Sequence, residues 1–189
     1  MLAIHEVEAA EPTLAQITAR AGLSSSSIIN HYFSSKQDLL EYTFRELAAG
    51  FLGEVALRVG AARTPKERVA AVIDANFAPS QCAPEAISTW LWFWSRVPIN
   101  SAYAEIESAT YSNVRKELER ALAELVPADE VTSIAEAITA LMYGLWLRFA
   151  LDPRGMNVDV ARRVTLDTVA ARLSVYKGVT AQRKPPVPA

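Results

Sequence analysis

Cysteine is nearly missing from this chain. Cys82 is its single thiol in 189 residues, so no intrachain disulfide can form and a reducing, cytoplasmic setting is expected. Histidine is almost as scarce: His5 and His31 are the only two, both near the start of the chain. With no glycine-rich phosphate loop, no metal-ligand spacing and carboxylates scattered over solvated helix faces, no enzyme activity, catalytic residue, metal or cofactor is expected. Long hydrophobic runs are missing too. The longest uncharged apolar stretch, Ala137 to Leu147, falls short of the roughly 20 residues that span a bilayer, and no signal peptide follows Met1, so no membrane role is expected. Neither charge dominates, since 19 Lys and Arg face 21 Asp and Glu for a net charge of −2.

What is present is apolar residues in helical rhythm. At 51% apolar and 8% aromatic, the chain can bury a substantial core in one or two domains. Ser35 to about Arg58 predicts one long helix with Leu39, Leu40, Thr43, Phe44, Leu47, Phe51 and Val55 on a common side, a rigid connection between what precedes and follows. Thr64-Pro65-Lys66-Glu67 is a helix start, followed by Val69, Val72, Ile73 and Phe77. Pro79 and Pro84 are expected to bracket a loop around Cys82. Helices are then expected over Glu85 to Arg96, Ser101 to Val126 (stopped by Pro127), Asp129 to Ala150 and Val158 to Tyr176. No strand alternation is visible, so the fold class is all-α. The proline-rich end, 181–189, has almost nothing to bury and is expected to be a disordered tail.

The most telling segment is Pro12 to Lys36, which has the spacing of a helix-turn-helix. Thr13 is a good N-cap, and Leu14, Ile17 and Ala21 fall on one face of a short helix that ends at Gly22, where a left-handed exit suits glycine. Leu23 turns back into the small core between two helices. Ser24 or Ser25 can cap the second helix, whose Ile28, Ile29 and Tyr32 have the spacing of a buried side. Ser26, Ser27, Asn30 and His31 make up its other side, small or planar polar groups able to lie close to base edges and phosphates. Ser35-Lys36-Gln37-Asp38 has the form of a capping box, and Lys36 stands at a helix N-terminus beside free amides, an arrangement suited to a phosphate.

Ala21-Gly22-Leu23-Ser24, Ile28-Ile29, His31-Tyr32-Phe33, Ser35-Lys36 and Leu39-Leu40 together resemble the signature of TetR-type transcriptional repressors. That resemblance implies a recognition helix, Ser25 to Tyr32, entering the major groove of double-stranded operator DNA. It places Ser25, Ser26, Ser27, Asn30 and His31 at the duplex and Thr13, Tyr32 and Lys36 on phosphates. It also implies a helix-turn-helix domain over 1–48 and a helical ligand-binding and dimerising bundle over 49–180. The sequence departs from the family pattern in three ways. The run from Gly22 to Phe33 is one residue longer than the commonest form, matching a branch with Ser-Ser after Gly-Leu. The first helix is short, with Leu2 to about Glu8 standing for a longer helix and basic arm, as in a chain shortened at its start. The usual glycine after that helix is replaced by Glu8-Ala9-Ala10-Glu11. Up to Ala48 the basic residues are Arg20, Lys36 and Arg45, and the acidic ones Glu6, Glu8, Glu11, Asp38, Glu41 and Glu46, a net negative segment where DNA binding usually draws on neutralised phosphates.

Further along, aromatic residues crowd together. Trp90, Phe93 and Trp94 lie on one predicted helix, Tyr111 on the next, and Met142 and Trp146 on the penultimate one. Such clusters either fill a core or line a site for a small-molecule effector. The Trp-Leu-Trp-Phe-Trp run and Gly144-Leu145-Trp146-Leu147-Arg148 resemble the betaine-operon repressor branch of the same family, whose effector is choline-like. Ile138, Leu141, Leu145 and Phe149, with Ala161, Val164, Thr168, Val169 and Arg172, could dock on the same pair of helices in a second subunit. The expected mechanism is a repressor whose effector shifts the population away from the DNA-binding arrangement, with the Ser35 to Arg58 helix as lever. A helical ligand-binding or adaptor protein that no longer binds DNA is the alternative.

Overall fold

The computed structural model describes residues 1–6 and 11–176, and every regular element among them is helical. The tail 181–189 and the segment Glu8-Ala9-Ala10 lie outside the described residues. The helices are α1 (Leu2–Glu6), α2 (Leu14–Arg20), α3 (Ser27–Tyr32), α4 (Lys36–Ala61), α5 (Pro65–Asn76), α6 (Pro79–Cys82), α7 (Pro84–Trp94), α8 (Ser101–Leu122), α9 (Val131–Leu151) and α10 (Val158–Ser174), with a 3-10 turn at Val97–Ile99 before α8. The chain forms two compact units, neither of them one run of sequence. The first comprises Met1–Phe51 and Pro79–Thr110, the second Leu52–Ala78 and Tyr111–Ala189.

Aromatic packing dominates the first unit. Phe44, fully buried, stacks on Phe93 at 4.2 Å and meets Trp90 and Tyr103 edge-on at 5.5 and 5.8 Å. Offset and edge-to-face arrangements of this kind add to the large apolar area each ring removes from water. The short α1 is tied to α7 by Ile4, which is buried, and by the His5 Nδ1 to Ser88 Oγ hydrogen bond at 2.7 Å.

In the second unit α5, α9 and α10 pack on one another. Val69, Val72 and Ile73 from α5, Ile134, Ile138, Met142 and Trp146 from α9, and Ala161, Val169 and Leu173 from α10 are all buried. The helix start read at Thr64 is a complete capping box: Thr64 Oγ1 accepts the Glu67 amide at 3.2 Å while the Glu67 carboxylate accepts the Thr64 amide at 3.2 Å. Arg162 pairs with Asp74 at 2.7 Å, and Arg172 with Glu130 at 3.2 Å. By length and composition α9 would also suffice to cross a membrane, although no single uncharged run does so. Here Ile134, Ala135, Ile138, Met142 and Trp146 of α9 are buried in the helical core, while Leu147 and Leu151 are exposed.

Several boundaries differ from the sequence reading: α4 runs on to Ala61 past Arg58, α7 ends at Trp94 before Arg96, α9 starts at Val131 and not Asp129, and three more have a clear local cause. The segment around Cys82 is not a loop but the short helix α6, since Pro79 occupies the first turn, where its missing N–H costs nothing. α8 stops at Leu122 instead of Val126. The chain tightens there, with the Leu125 and Val126 amides both donating to the Leu122 carbonyl, and Val126 is buried by the tighter turn. α10 ends at Ser174, two residues before Tyr176.

Candidate nucleic-acid interface

The corner that presents α3 is built by local chemistry. Thr13 caps α2, its Oγ1 accepting the Gln16 amide at 3.2 Å while Gln16 Oε1 accepts the Thr13 amide at 2.8 Å. The Thr-x-x-Gln spacing was visible in the sequence and Gln16 could have been read from it. At the other end Gly22 adopts φ +67, the Gly22 amide donates to the Ala19 carbonyl, and the Leu23 amide donates back to the Thr18 carbonyl at 3.0 Å. This is the paired hydrogen-bond closure that glycine permits at a helix C-terminus. On α2 the buried side chain is Thr18, which satisfies its hydroxyl on the Leu14 carbonyl at 2.6 Å, whereas Ala21 is exposed, contrary to the apolar face expected from spacing.

α3 begins at Ser27, two residues after the Ser25 start implied by the family pattern. Its amide is taken by Ser25 Oγ at 3.1 Å, and the two hydroxyls bond at 2.9 Å. Ile29 is the buried residue of this helix. Ile28 is partly exposed and Tyr32 is 75% exposed, so the side expected to bury all three buries one. Consequently Ser25, Ser27, Asn30, His31 and Tyr32 are all exposed, Ser26 is half-buried, and the His31 and Tyr32 rings meet edge-on at 5.1 Å. Thr13, at the start of α2, is exposed as well.

The N-terminus of α4 is already well supplied with partners. Ser35 Oγ accepts the Asp38 amide at 3.1 Å, as the capping box required, but the Asp38 carboxylate reaches one residue further than expected and takes the Ser34 amide at 2.9 Å and its hydroxyl at 3.0 Å. Lys36 Nζ lies 2.5 Å from Glu11 Oε1. Sequence reasoning counted Glu11 only as one acid among six, because nothing local to either residue announces a pairing across the corner.

The aromatic residues expected near an effector divide between the units. In the first, Trp90 is buried and donates from Nε1 to Gln81 Oε1 at 3.2 Å, and it lies 5.5 Å from the half-buried Trp94, whose Nε1 donates to Glu107 Oε2 at 3.0 Å. Phe93 is fully buried between Phe44 and Tyr103. Burial pushes the Tyr103 phenol upward, with Gln37 acting in the opposite sense, and no hydrogen bond of good geometry closes on its hydroxyl. In the second unit Met142 and Trp146 are buried, and Tyr111 meets Tyr143 at 6.0 Å. Burial, and then the Glu136 carboxylate, push the Tyr111 phenol to about 12. Gln81, Glu107 and Glu136 are polar companions of these rings that composition did not single out. Burial alone pushes the Cys82 thiol to about 11.

Residues 65–174 match the family described as BetI-type transcriptional repressor, C-terminal. The HTH-type transcriptional regulator BetI of Vibrio vulnificus is 33% identical over 180 residues, covering 93% of this chain and 89% of that protein. The HTH-type transcriptional regulator BetI 1 of Chromohalobacter salexigens is 36% identical over 176 residues, covering 90% and 85%. Among solved structures, a putative transcriptional regulator from Saccharomonospora viridis in complex with choline superposes with a TM-score of 0.75 at 18% identity, over 89% of this chain and 92% of that one.

Proposed function

The chain belongs to the TetR family of DNA-binding transcriptional repressors, in its BetI-type branch, and from that premise we propose how its own residues serve repression. The exposed edge of α3 meets an operator, with Ser25, Ser26, Ser27, Asn30 and His31 at the base edges and Thr13, Tyr32 and Lys36 on the flanking phosphates. The observation that carries this reading is the solvation of α3: a helix anchored by Ile29 alone holds a 75% exposed Tyr32 and an unbroken polar edge outward. Small polar side chains let a helix approach the groove floor, while the phosphate contacts set its register. In this reading residues 1–48 read DNA and 49–180 bind ligand and dimerise.

The second part of the proposal is a homodimer through α9 and α10. Between them runs an apolar groove of about 410 Å³, lined by Ile134, Ala137, Ile138 and Leu141 on one side and Thr168, Val169 and Arg172 on the other. Leu147, Leu151 and Val164 on the same two helices are exposed apolar residues. A second copy of the same helix pair buries such a face isologously, and two copies of α3 then read two half-sites.

The third part is release by a small-molecule effector. Trp90, Phe93 and Trp94 in the first unit, and separately Tyr111, Met142 and Trp146 in the second, are its candidate contacts. Aromatic faces attract quaternary ammonium groups, and the choline complex of the Saccharomonospora viridis regulator makes that class the first to try. Fluorescence-anisotropy titration against the promoter fragment upstream of the chain's own gene, at several salt concentrations, tests the whole. Tight, salt-dependent binding lost in Asn30→Ala and weakened by choline is the expected result. A protein with no affinity for that duplex at low salt is instead an adaptor.

A further inference from the structure

We propose that Glu11 is an intramolecular competitor for DNA: its carboxylate occupies the place on Lys36 that a backbone phosphate takes in the complex, so the free protein holds its own clamp partly closed. The inference rests on the reading of Lys36 as a phosphate contact. Three observations carry it. Lys36 Nζ and Glu11 Oε1 are 2.5 Å apart, with side chains 34% and 44% exposed, so the pair is reachable from solvent and from a duplex. Three further donors at this helix start are taken up as well, since Asp38 accepts both the Ser34 amide and the Ser34 hydroxyl, and Ser35 accepts the Asp38 amide. And the segment up to Ala48 has few cations to spare, so the state of Lys36 weighs heavily in its phosphate affinity.

The physical consequence is an exchange. A carboxylate and a phosphate oxygen are both anionic acceptors for an ammonium, and binding swaps one for the other, giving up an exposed ion pair worth little in water to gain a charge-assisted contact with a polyanion. Glu11 therefore lowers affinity for every duplex alike, specific or not, and sets a threshold that only a sequence with good base contacts clears easily. Since Lys36 reaches its phosphate in the complex whether or not Glu11 is present, the number of DNA counterions released is the same, and Glu11 acts on the affinity and not on its salt slope.

The test is a double-mutant cycle in the full chain, using the promoter fragment upstream of its gene and a mixed-sequence duplex of equal length. Glu11→Gln is expected to tighten binding to both about two- to five-fold, the range an exposed ion pair supplies. The slope of log affinity against log salt should stay nearly the same, because Lys36 reaches the same phosphate in both proteins and only the cost of freeing it differs. In the Lys36→Gln background, Glu11→Gln should change nothing. Glu41→Gln, which removes the same charge from the same segment, should give no comparable gain. A gain that survives Lys36→Gln, or is matched by Glu41→Gln, overturns the proposal in favour of plain charge repulsion. No change in Glu11→Gln while Lys36→Gln weakens binding overturns it and leaves Lys36 as a phosphate contact. No loss in Lys36→Gln removes that contact, and the proposal with it.

Discussion

The Leu23 amide donates to the Thr18 carbonyl at 3.0 Å across a left-handed Gly22, and that one hydrogen bond sets the direction in which the chain leaves α2 for α3. A Cβ built on Gly22 meets nothing within 4 Å, so the cost of a side chain there is purely one of backbone conformation. Gly22→Ala is expected to destabilise the fold by about 1–2 kcal/mol, the usual penalty for an L-residue in the left-handed region. Gly22→Asn should cost less, because asparagine tolerates that region. Thermal unfolding of the two variants checks the ordering, and operator affinity should fall with it as α3 loses its fixed exit.

Trp90 is the hub of the first unit's core, 5% exposed, touching Phe44, Phe51 and Trp94 with its ring and Gln81 with its Nε1. Trp90→Ala should cost about 3–5 kcal/mol by leaving a cavity that stacked rings cannot collapse into. Trp90→Phe keeps most of the packing and loses the donor to Gln81, so its unfolding midpoint should lie between the two. Denaturant titration of the three proteins decides.

If α9 and α10 form the dimer face, a charge placed in its apolar groove must be buried unpaired. Leu141→Arg adds that charge beside Arg172, a like-charged lining residue, and should weaken self-association by tenfold or more. Sedimentation velocity across a concentration series measures it. A dimer of unchanged strength would move the interface elsewhere.

Tyr111 contributes to the alkaline limb of stability, its phenol pushed to about 12 by burial and Glu136 from an ordinary value of 10.0. Below the unfolded value both states hold the proton and the contribution is complete. Between 10 and 12 the unfolded chain loses its proton first, so stability falls as pH rises through that window. Tyr111→Phe has no such proton, and its stability should decline less steeply over the same interval. Parallel urea titrations at stepped pH compare the slopes.

Much of this molecule was legible from local sequence. Thr64-Pro65-Lys66-Glu67 gave a complete capping box and Gly22 a left-handed turn, because each depends on groups within four residues. The long helix was seen from its apolar rhythm, and Leu40, Phe44, Leu47, Phe51 and Val55 are buried as expected. Periodicity failed on short helices. On α2 it chose Ala21 over Thr18, and on α3 it buried Tyr32 with Ile29, since over two turns or fewer the pattern is compatible with several faces and only the neighbouring helix selects one. The candidate site was legible as a set of exposed polar residues around one corner. Its electrostatic state was not.

The amino-acid order by itself determined the helical class, the sharp corner after α2 and the polar edge of α3, because helix starts, glycine exits and side-chain spacing are short-range matters of sterics and hydrogen bonding. Tertiary structure alone decided that Glu11 closes on Lys36, that Trp90 finds Gln81 while Tyr111 finds Glu136, and that Tyr32 stands in water. Those outcomes depend on which distant groups the packing of helices brings within a few ångströms, and Coulomb and dispersion forces act on that distance, whatever the separation along the chain.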